Sequence, residues 1–562
     1  MTKSKLPKRL RTKAGKSKHA KLAEMASFRS LLVVMFILSG FIFAGVNLLW
    51  VGMVPVDEPE MKFARAHKVL PVRGDIFDRN GVLLATTLKV KSLYADPKMM
   101  VDVNESLFKL ATVIPTIDFK YLGNHLSNKN KRFVWIKRQL TPAQVKHVND
   151  LGIPGVYFRE EFARVYPHKQ LVSHVIGGIN VDGNGLAGIE ASYNEQLLQG
   201  EDVYLTLDVR LQGQLRHVLL ENIERTEAKA SWGVATNPKT GEVLALVSLP
   251  DYDPNHYGEA DEETWFNKAV YGAYEMGSTF KIFTMAEGLE EGYVDAETPL
   301  DITKPIRIGR FTINDSHPKY KIMTMREAFR RSSNIGAARV ADLFEEGAQE
   351  MFFAKLGLLT PLNIGLKEIG RPRYHNRWGR VQTMTRAFGH GLAVTPVQMA
   401  AGVGAVVSDG YYKHPHIVKD FDMNEPTFVV GSETVLEVKD LLRNVVEEGT
   451  GRRAQLEGYE IGGKTGTAEK SVAGGYSKDD NNNLASFVGV VPVEDPEILA
   501  LIMVDSPKYP NNQGGSAAAP AFRKFVGRIA PMIGLRPNVN PLDFMKKETK
   551  RMAENETVRN TW

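Results

Sequence analysis

The chain has 562 residues, 43% of them apolar and 24% charged, which suits two or three packed domains and excludes a disordered protein. It contains no cysteine, which excludes disulfides, thiolate metal sites and cysteine nucleophiles. The net charge of +6 is uneven: the first 30 residues hold ten Lys/Arg against one acid, Glu24, so the rest is mildly acidic and no nucleic-acid face is expected on it.

Residues 1–30 read as a basic cytoplasmic tail. Leu31 to Val54 contains no charged residue. As a helix it would span about 36 Å, enough for a hydrocarbon core of about 30 Å. The basic flank predicts a single uncleaved anchor at 31–54, N-terminus inside and the bulk translocated. A cleaved signal peptide is the alternative, and no small-x-small site follows the run.

Residues 55–204 mix short strand and helix patterns and form the first module. Residues 205–536 form the second. It opens with a helix after Asp208, then strands over Ser231–Thr236 and Glu242–Ser248 joined by Asn237-Pro238-Lys239-Thr240-Gly241. A helical middle follows, then strands over Tyr459–Glu469, Ala485–Val491 and Ile498–Asp505. Strands from both ends around a helical middle predict an α+β fold, an antiparallel sheet with helices on its faces. Ala473–Asn483 reads as a mobile loop just after the Tyr459–Glu469 strand, beside its Lys464-Thr465-Gly466-Thr467 segment, and 537–562 as a polar tail.

Three motifs lie in the second module. Ser278-Thr279-Phe280-Lys281 opens an amphipathic helical stretch, with Gly288 and Gly292 as candidate stops. Three residues apart on one helical face, Lys281 is close to the Ser278 hydroxyl, and burial lets a lysine act as base. Ser332-Ser333-Asn334 lies between two helical stretches, where a cap is the ordinary use of such residues. Lys464-Thr465-Gly466-Thr467 lies inside a strand. Thr465 and Thr467 share one face there, and Gly466 allows close approach.

Spelling alone does not select these three. Ser106–Lys109 and Ser316–Lys319 also read Ser-x-x-Lys, Ser192-Tyr193-Asn194 reads Ser-x-Asn, and Lys239-Thr240-Gly241 repeats the third motif. Context does. Ser106 sits in an ordinary capped helix, Pro318 breaks the helix that Ser316 would need, and Lys239 is on a hairpin tip. Ser278, Ser332 and Lys464 together read as an activated-serine acyl-transfer site.

With the motifs stand Arg73-Gly74-Asp75-Ile76-Phe77-Asp78-Arg79-Asn80-Gly81, Gly188-Ile189-Glu190, Leu205-Thr206-Leu207-Asp208 and Phe388-Gly389-His390-Gly391. In these segments nearly the whole chain resembles the class B penicillin-binding proteins, more narrowly the FtsI-type cell-division D,D-transpeptidases. It departs from them in a very short segment between Gly200 and Leu205. Asn334 tilts the resemblance toward division over elongation.

The resemblance implies a non-catalytic, dimerisation-type pedestal at 55–204 and a transpeptidase domain at 205–536. It implies Ser278 as nucleophile, Lys281 as its base, Ser332 as proton relay, and Asn334 and Lys464 in support. It further implies that Thr465, Gly466 and Thr467 hold the substrate, with the backbone N–H groups of Ser278 and Thr467 as oxyanion hole. The implied partners are donor and acceptor peptidoglycan stem peptides, β-lactams as covalent inhibitors, an FtsW-type membrane glycosyltransferase and other divisome proteins. No metal or cofactor is implied, and the expected location is the bacterial inner membrane with the bulk periplasmic. An elongation-type enzyme or a carboxypeptidase with the same site is the alternative; a membrane-anchored β-lactam sensor or divisome scaffold is the non-enzymatic one.

Overall fold

The computed structural model describes residues 18–53, 72–309, 311–422, 425–472, 475–476 and 482–538. Two compact units divide the chain, residues 1–70 and 71–562. In the first, helix α1 covers Lys18–Met53 and so begins inside the segment expected to be a basic tail. Its apolar side chains from Leu31 to Leu38, Phe41 to Phe43, Val46 and Leu49 are exposed. Among the described residues, no helix is long and apolar enough to cross a membrane. Residues 1–17, most of the 473–483 loop and 539–562 lie outside the described residues.

The second unit opens with a sheet built from β1 (Ile76–Phe77), β2 (Leu83–Ala95), β3 (Val134–Leu140), β4 (Val156–Val165) and β5 (Val203–Tyr204). The long β2 pairs antiparallel with β1, β3 and β4 along its length. The short segment before Leu205 is β5, which pairs parallel with β1. Helix α2 (Val103–Ala111) holds Ser106, whose hydroxyl donates to the Asp102 carbonyl. Asp102, the N-cap, makes this the ordinary capped helix expected there.

One buried ionic knot joins three distant segments. Glu190 accepts from Arg73 Nε at 2.7 Å and from Arg164 Nε at 2.6 Å, and Tyr166 Oη adds a third bond at 3.2 Å. Nearby, Asp78 closes its own turn and accepts from the Val209 N–H at 3.1 Å. The segments 73–81, 188–190 and 205–208, which carry the resemblance, are therefore neighbours in space.

Helix α3 (Val209–Thr226) starts at the Asp208 cap. It precedes the expected hairpin, β6 (Ala230–Thr236) and β7 (Val243–Leu249). The middle supplies α4 (Lys281–Glu290), α5 (Met325–Arg330), α6 (Asn334–Ala341), α7 (Pro396–Val407) and α8 (Ser432–Glu448). Then come β8 (Gly462–Glu469), β9 (Asn483–Val491), β10 (Ile498–Asp505) and helix α9 (Ala519–Ile533). The sheet runs β8-β9-β10-β6-β7, antiparallel throughout, as expected.

Both faces of this sheet are buried, which is why β7 and β10 read as nearly unbroken apolar runs. Leu499, Leu501 and Met503 face one core, shared with α7 and α8. Ala500, Ile502 and Val504 face another, against Leu215 of α3 and Phe522 and Phe525 of α9. Two expectations are corrected. Gly288 is no helix stop: it lies inside α4, where a Cβ would meet Val340 and Val294 at under 3 Å. The middle is also not wholly helical, since short strand pairs such as Pro299–Asp301 with Ile322–Thr324 interrupt it. At three residues each they are too short to show a periodicity.

Candidate active site

Ser278 lies in a 3-10 turn, Gly277–Phe280, that leads into α4, one step ahead of the first α-helical turn expected for it. Gly277 has φ +53, and a Cβ there would come within 2.5 Å of the Thr467 carbonyl. Only glycine lets the serine's turn close onto β8. Gly466 does the same from the other side, its missing Cβ facing Met276 O at 2.8 Å.

Lys281 is fully buried. Its Nζ stands 2.9 Å from Ser278 Oγ, 2.6 Å from the Ser332 carbonyl oxygen and 2.8 Å from Asn334 Oδ1. Burial pushes this amine down from its ordinary value to about 7, with the Asp315 carboxylate opposing. A neutral amine has two N–H donors and one lone pair. The carbonyl and Oδ1 are pure acceptors and take the two donors. The lone pair is then left for the Ser278 O–H, the arrangement a general base requires.

Ser332 adopts the left-handed region at φ +62, uncommon for a residue with a side chain. That turn aims its carbonyl at Lys281, and its hydroxyl lies 3.2 Å from Lys281 Nζ and 2.8 Å from Lys464 Nζ. Lys464 is also fully buried, and burial with the nearby Lys281 holds its amine well below the usual value. The Ser332 hydroxyl thus bridges two buried amines. Ser333 alone is the cap, accepting from the Gly336 N–H at 2.9 Å.

A cleft of about 570 Å3 opens over this cluster, lined by Ser278, Ser332, Asn334, Thr465, Gly466 and Thr467 among others. The Thr465 hydroxyl is 2.7 Å from that of Thr450, and Thr467 Oγ1 accepts from the Gly514 N–H at 3.2 Å. All eight residues singled out by the motifs are therefore brought together. The decoys fall elsewhere or in the wrong form. Ser106 is buried in α2, Lys239 pairs with Asp495 at the hairpin tip, and Asn194 accepts from Arg73. Ser316 and Lys319 do line the cleft, but on a non-helical segment.

Sequence reasoning missed Asp315, Thr450 and Gly514. Thr450 stands in a Gly-Thr-Gly turn after α8, a signal that could have been noticed. Asp315 offered none, because its partners lie 18 to 20 residues ahead of it.

Residues 232–527 match the penicillin binding protein transpeptidase domain, and residues 68–227 the penicillin-binding protein dimerisation domain. The chain therefore belongs to the penicillin-binding protein transpeptidases. Among its relatives is the probable peptidoglycan D,D-transpeptidase FtsI of Caulobacter vibrioides, 33% identical over 517 residues, 88% of this chain and 87% of the relative. Another is the peptidoglycan D,D-transpeptidase FtsI of Escherichia coli K12, 29% identical over 556 residues, 92% and 94% of the two chains. The crystal structure of penicillin binding protein 3 from Mycobacterium tuberculosis, complexed with aztreonam, shares the fold. Its TM-score is 0.67 at 24% identity, covering 84% of this chain and 98% of that one.

Proposed function

We propose that this chain is a septal peptidoglycan D,D-transpeptidase that works through an acyl-enzyme on Ser278 and is a target of β-lactams. The observation that carries the reading is the buried Lys281 amine, 2.9 Å from Ser278 Oγ, with its two N–H donors committed to the Ser332 carbonyl and Asn334 Oδ1.

Ser278 Oγ attacks the carbonyl between the last two D-alanines of a donor stem peptide while Lys281 takes its proton. The developing oxyanion lies against the backbone N–H groups of Ser278 and Thr467; one such donor is worth about 2.7–4 kcal/mol in the transition state. As the C–N bond breaks, the proton passes from Lys281 through the Ser332 hydroxyl to the departing D-alanine amine. Lys464, beside Ser332, supports the relay electrostatically. Thr465 and Thr467 take the substrate's terminal carboxylate, and Gly466 between them keeps this stretch of β8 seated against the Ser278 turn where the substrate is held. The amine of a second stem peptide then attacks the ester, Ser278 recovers its proton, and a cross-link forms.

The proposal extends to the rest of the chain. The charge-free run 31–54 and the exposed apolar side chains of α1 support a single membrane anchor with the catalytic part periplasmic. Residues 55–204 would be the pedestal, 205–536 the transpeptidase domain and 537–562 a polar tail. A membrane glycosyltransferase of the FtsW type is the partner that would supply glycan.

The test is a donor stem-peptide thioester offered with an amine acceptor and read by mass spectrometry. Wild type should form the amide product and Ser278→Ala none. Hydrolysis product alone, at saturating acceptor, would make the enzyme a carboxypeptidase.

A further inference from the structure

Residues 314–317 belong to none of the three motifs, and the sequence offered only a false match there. In the fold they follow the short strand Phe311–Ile313, and Asp315, Ser316 and His317 line the cleft. Helix α6, which carries Asn334, begins beneath them. Its first backbone N–H groups need acceptors, and the Asp315 carboxylate supplies two of them. Oδ1 accepts from the N–H groups of Asn334 at 2.6 Å and Ile335 at 2.9 Å, while Oδ2 accepts from the Ser333 hydroxyl at 2.7 Å. Ser333 Oγ in turn accepts from the Gly336 N–H. The neighbouring Asn314 carbonyl accepts from Asn334 Nδ2 at 3.0 Å, which leaves Asn334 Oδ1 facing the Lys281 amine.

We infer that Asp315 is a positioning residue for acylation, locking the Ser332-Ser333-Asn334 turn so that the Ser332 carbonyl and Asn334 Oδ1 hold the Lys281 amine against Ser278. The inference rests on the reading of Ser278 and Lys281 given above. The left-handed Ser332 makes such a lock necessary, since a strained backbone persists only where its surroundings over-determine it. Asp315 also acts through its charge, which favours the protonated form of Lys281 against burial. The titratable groups that in turn feel this amine are Lys464 on β8 and His390, itself faced by Glu275 and Glu469. Removing the Asp315 charge therefore lets Lys281 lose its proton at lower pH.

The test is the second-order rate of acylation by benzylpenicillin, measured from pH 5.5 to 9 on the full chain in detergent micelles, for wild type, Asp315→Asn and Asp315→Glu. Thermal unfolding of each reports folding. For Asp315→Asn we expect the midpoint of the acid limb to move down by about half a pH unit or more. Its plateau should fall at least about tenfold, as expected of a misplaced reacting group. Asp315→Glu keeps the charge but moves the carboxylate, so it should keep the wild-type midpoint with a plateau lowered about tenfold. A folded Asp315→Asn with wild-type midpoint and plateau overturns the inference. If Asp315→Asn does not fold, Asp315→Glu decides: a lowered plateau at the wild-type midpoint supports the inference, and wild-type rates at every pH overturn it. A wild type that is not acylated removes the reading of Ser278 and the inference with it.

Discussion

At the scale of single residues, the site turns on a lysine that burial keeps near neutrality. The base is the neutral form of Lys281, so acylation should rise with pH through about 7 and level off above it. Lys281→Met, similar in shape but without a base, should slow β-lactam acylation by about 10²–10⁴-fold, measured by stopped-flow. A second buried group has no such use. Glu287, on α4, has neither carboxyl oxygen hydrogen-bonded among the described residues. Burial, with Glu291 adding, pushes its carboxyl up from 4.5 to about 9. Its folded-state value is raised, so its full stability is present below pH 4.5. It is lost as pH rises toward 9, because the unfolded chain ionises where the folded one does not. Glu287→Gln cannot ionise. The excess of its melting temperature over wild type should therefore grow between pH 6 and 9 in calorimetry.

At the scale of elements, the strand β8 and the turn bearing Ser278 approach as closely as their glycines allow. Gly389 belongs to the same contact: it has φ +86, and a Cβ there would overlap the Gly277 carbonyl. Gly389→Ala should destabilise the protein by about 1–2 kcal/mol from the left-handed backbone alone. It should also lower the acylation rate by displacing Ser278; denaturant midpoint and labelling rate measure the two effects. Much at this scale was legible in the sequence. The hairpin β6–β7 announced itself through Asn237–Gly241, and β9 and β10 through their apolar runs. The left-handed turn at Ser332 was not legible, because serine does not signal it. Asp315 was not, because its role comes from the chain folding back. Gly288 was misread, since a glycine inside a helix can serve packing as well as termination.

At the scale of the whole molecule, Glu190 ties Arg73 and Arg164 together from segments that sequence distance hides. The resemblance marked 73–81 and 188–190 as informative, but only the fold shows that they meet in one buried knot. Glu190→Ala leaves two buried guanidinium groups without their carboxylate and should destabilise the second unit by about 3–5 kcal/mol in chemical denaturation. Ser278 should still be acylated in the molecules that remain folded, since the knot lies outside the cleft.

The most direct measurement is covalent labelling of the full-length protein by a fluorescent penicillin, comparing wild type with Ser278→Ala, Ser106→Ala and Ser316→Ala. We predict stable labelling of wild type and of both decoy variants, and none of Ser278→Ala. Labelling that survives in Ser278→Ala, or that is lost in either folded decoy variant, would contradict the assignment of Ser278 as the nucleophile.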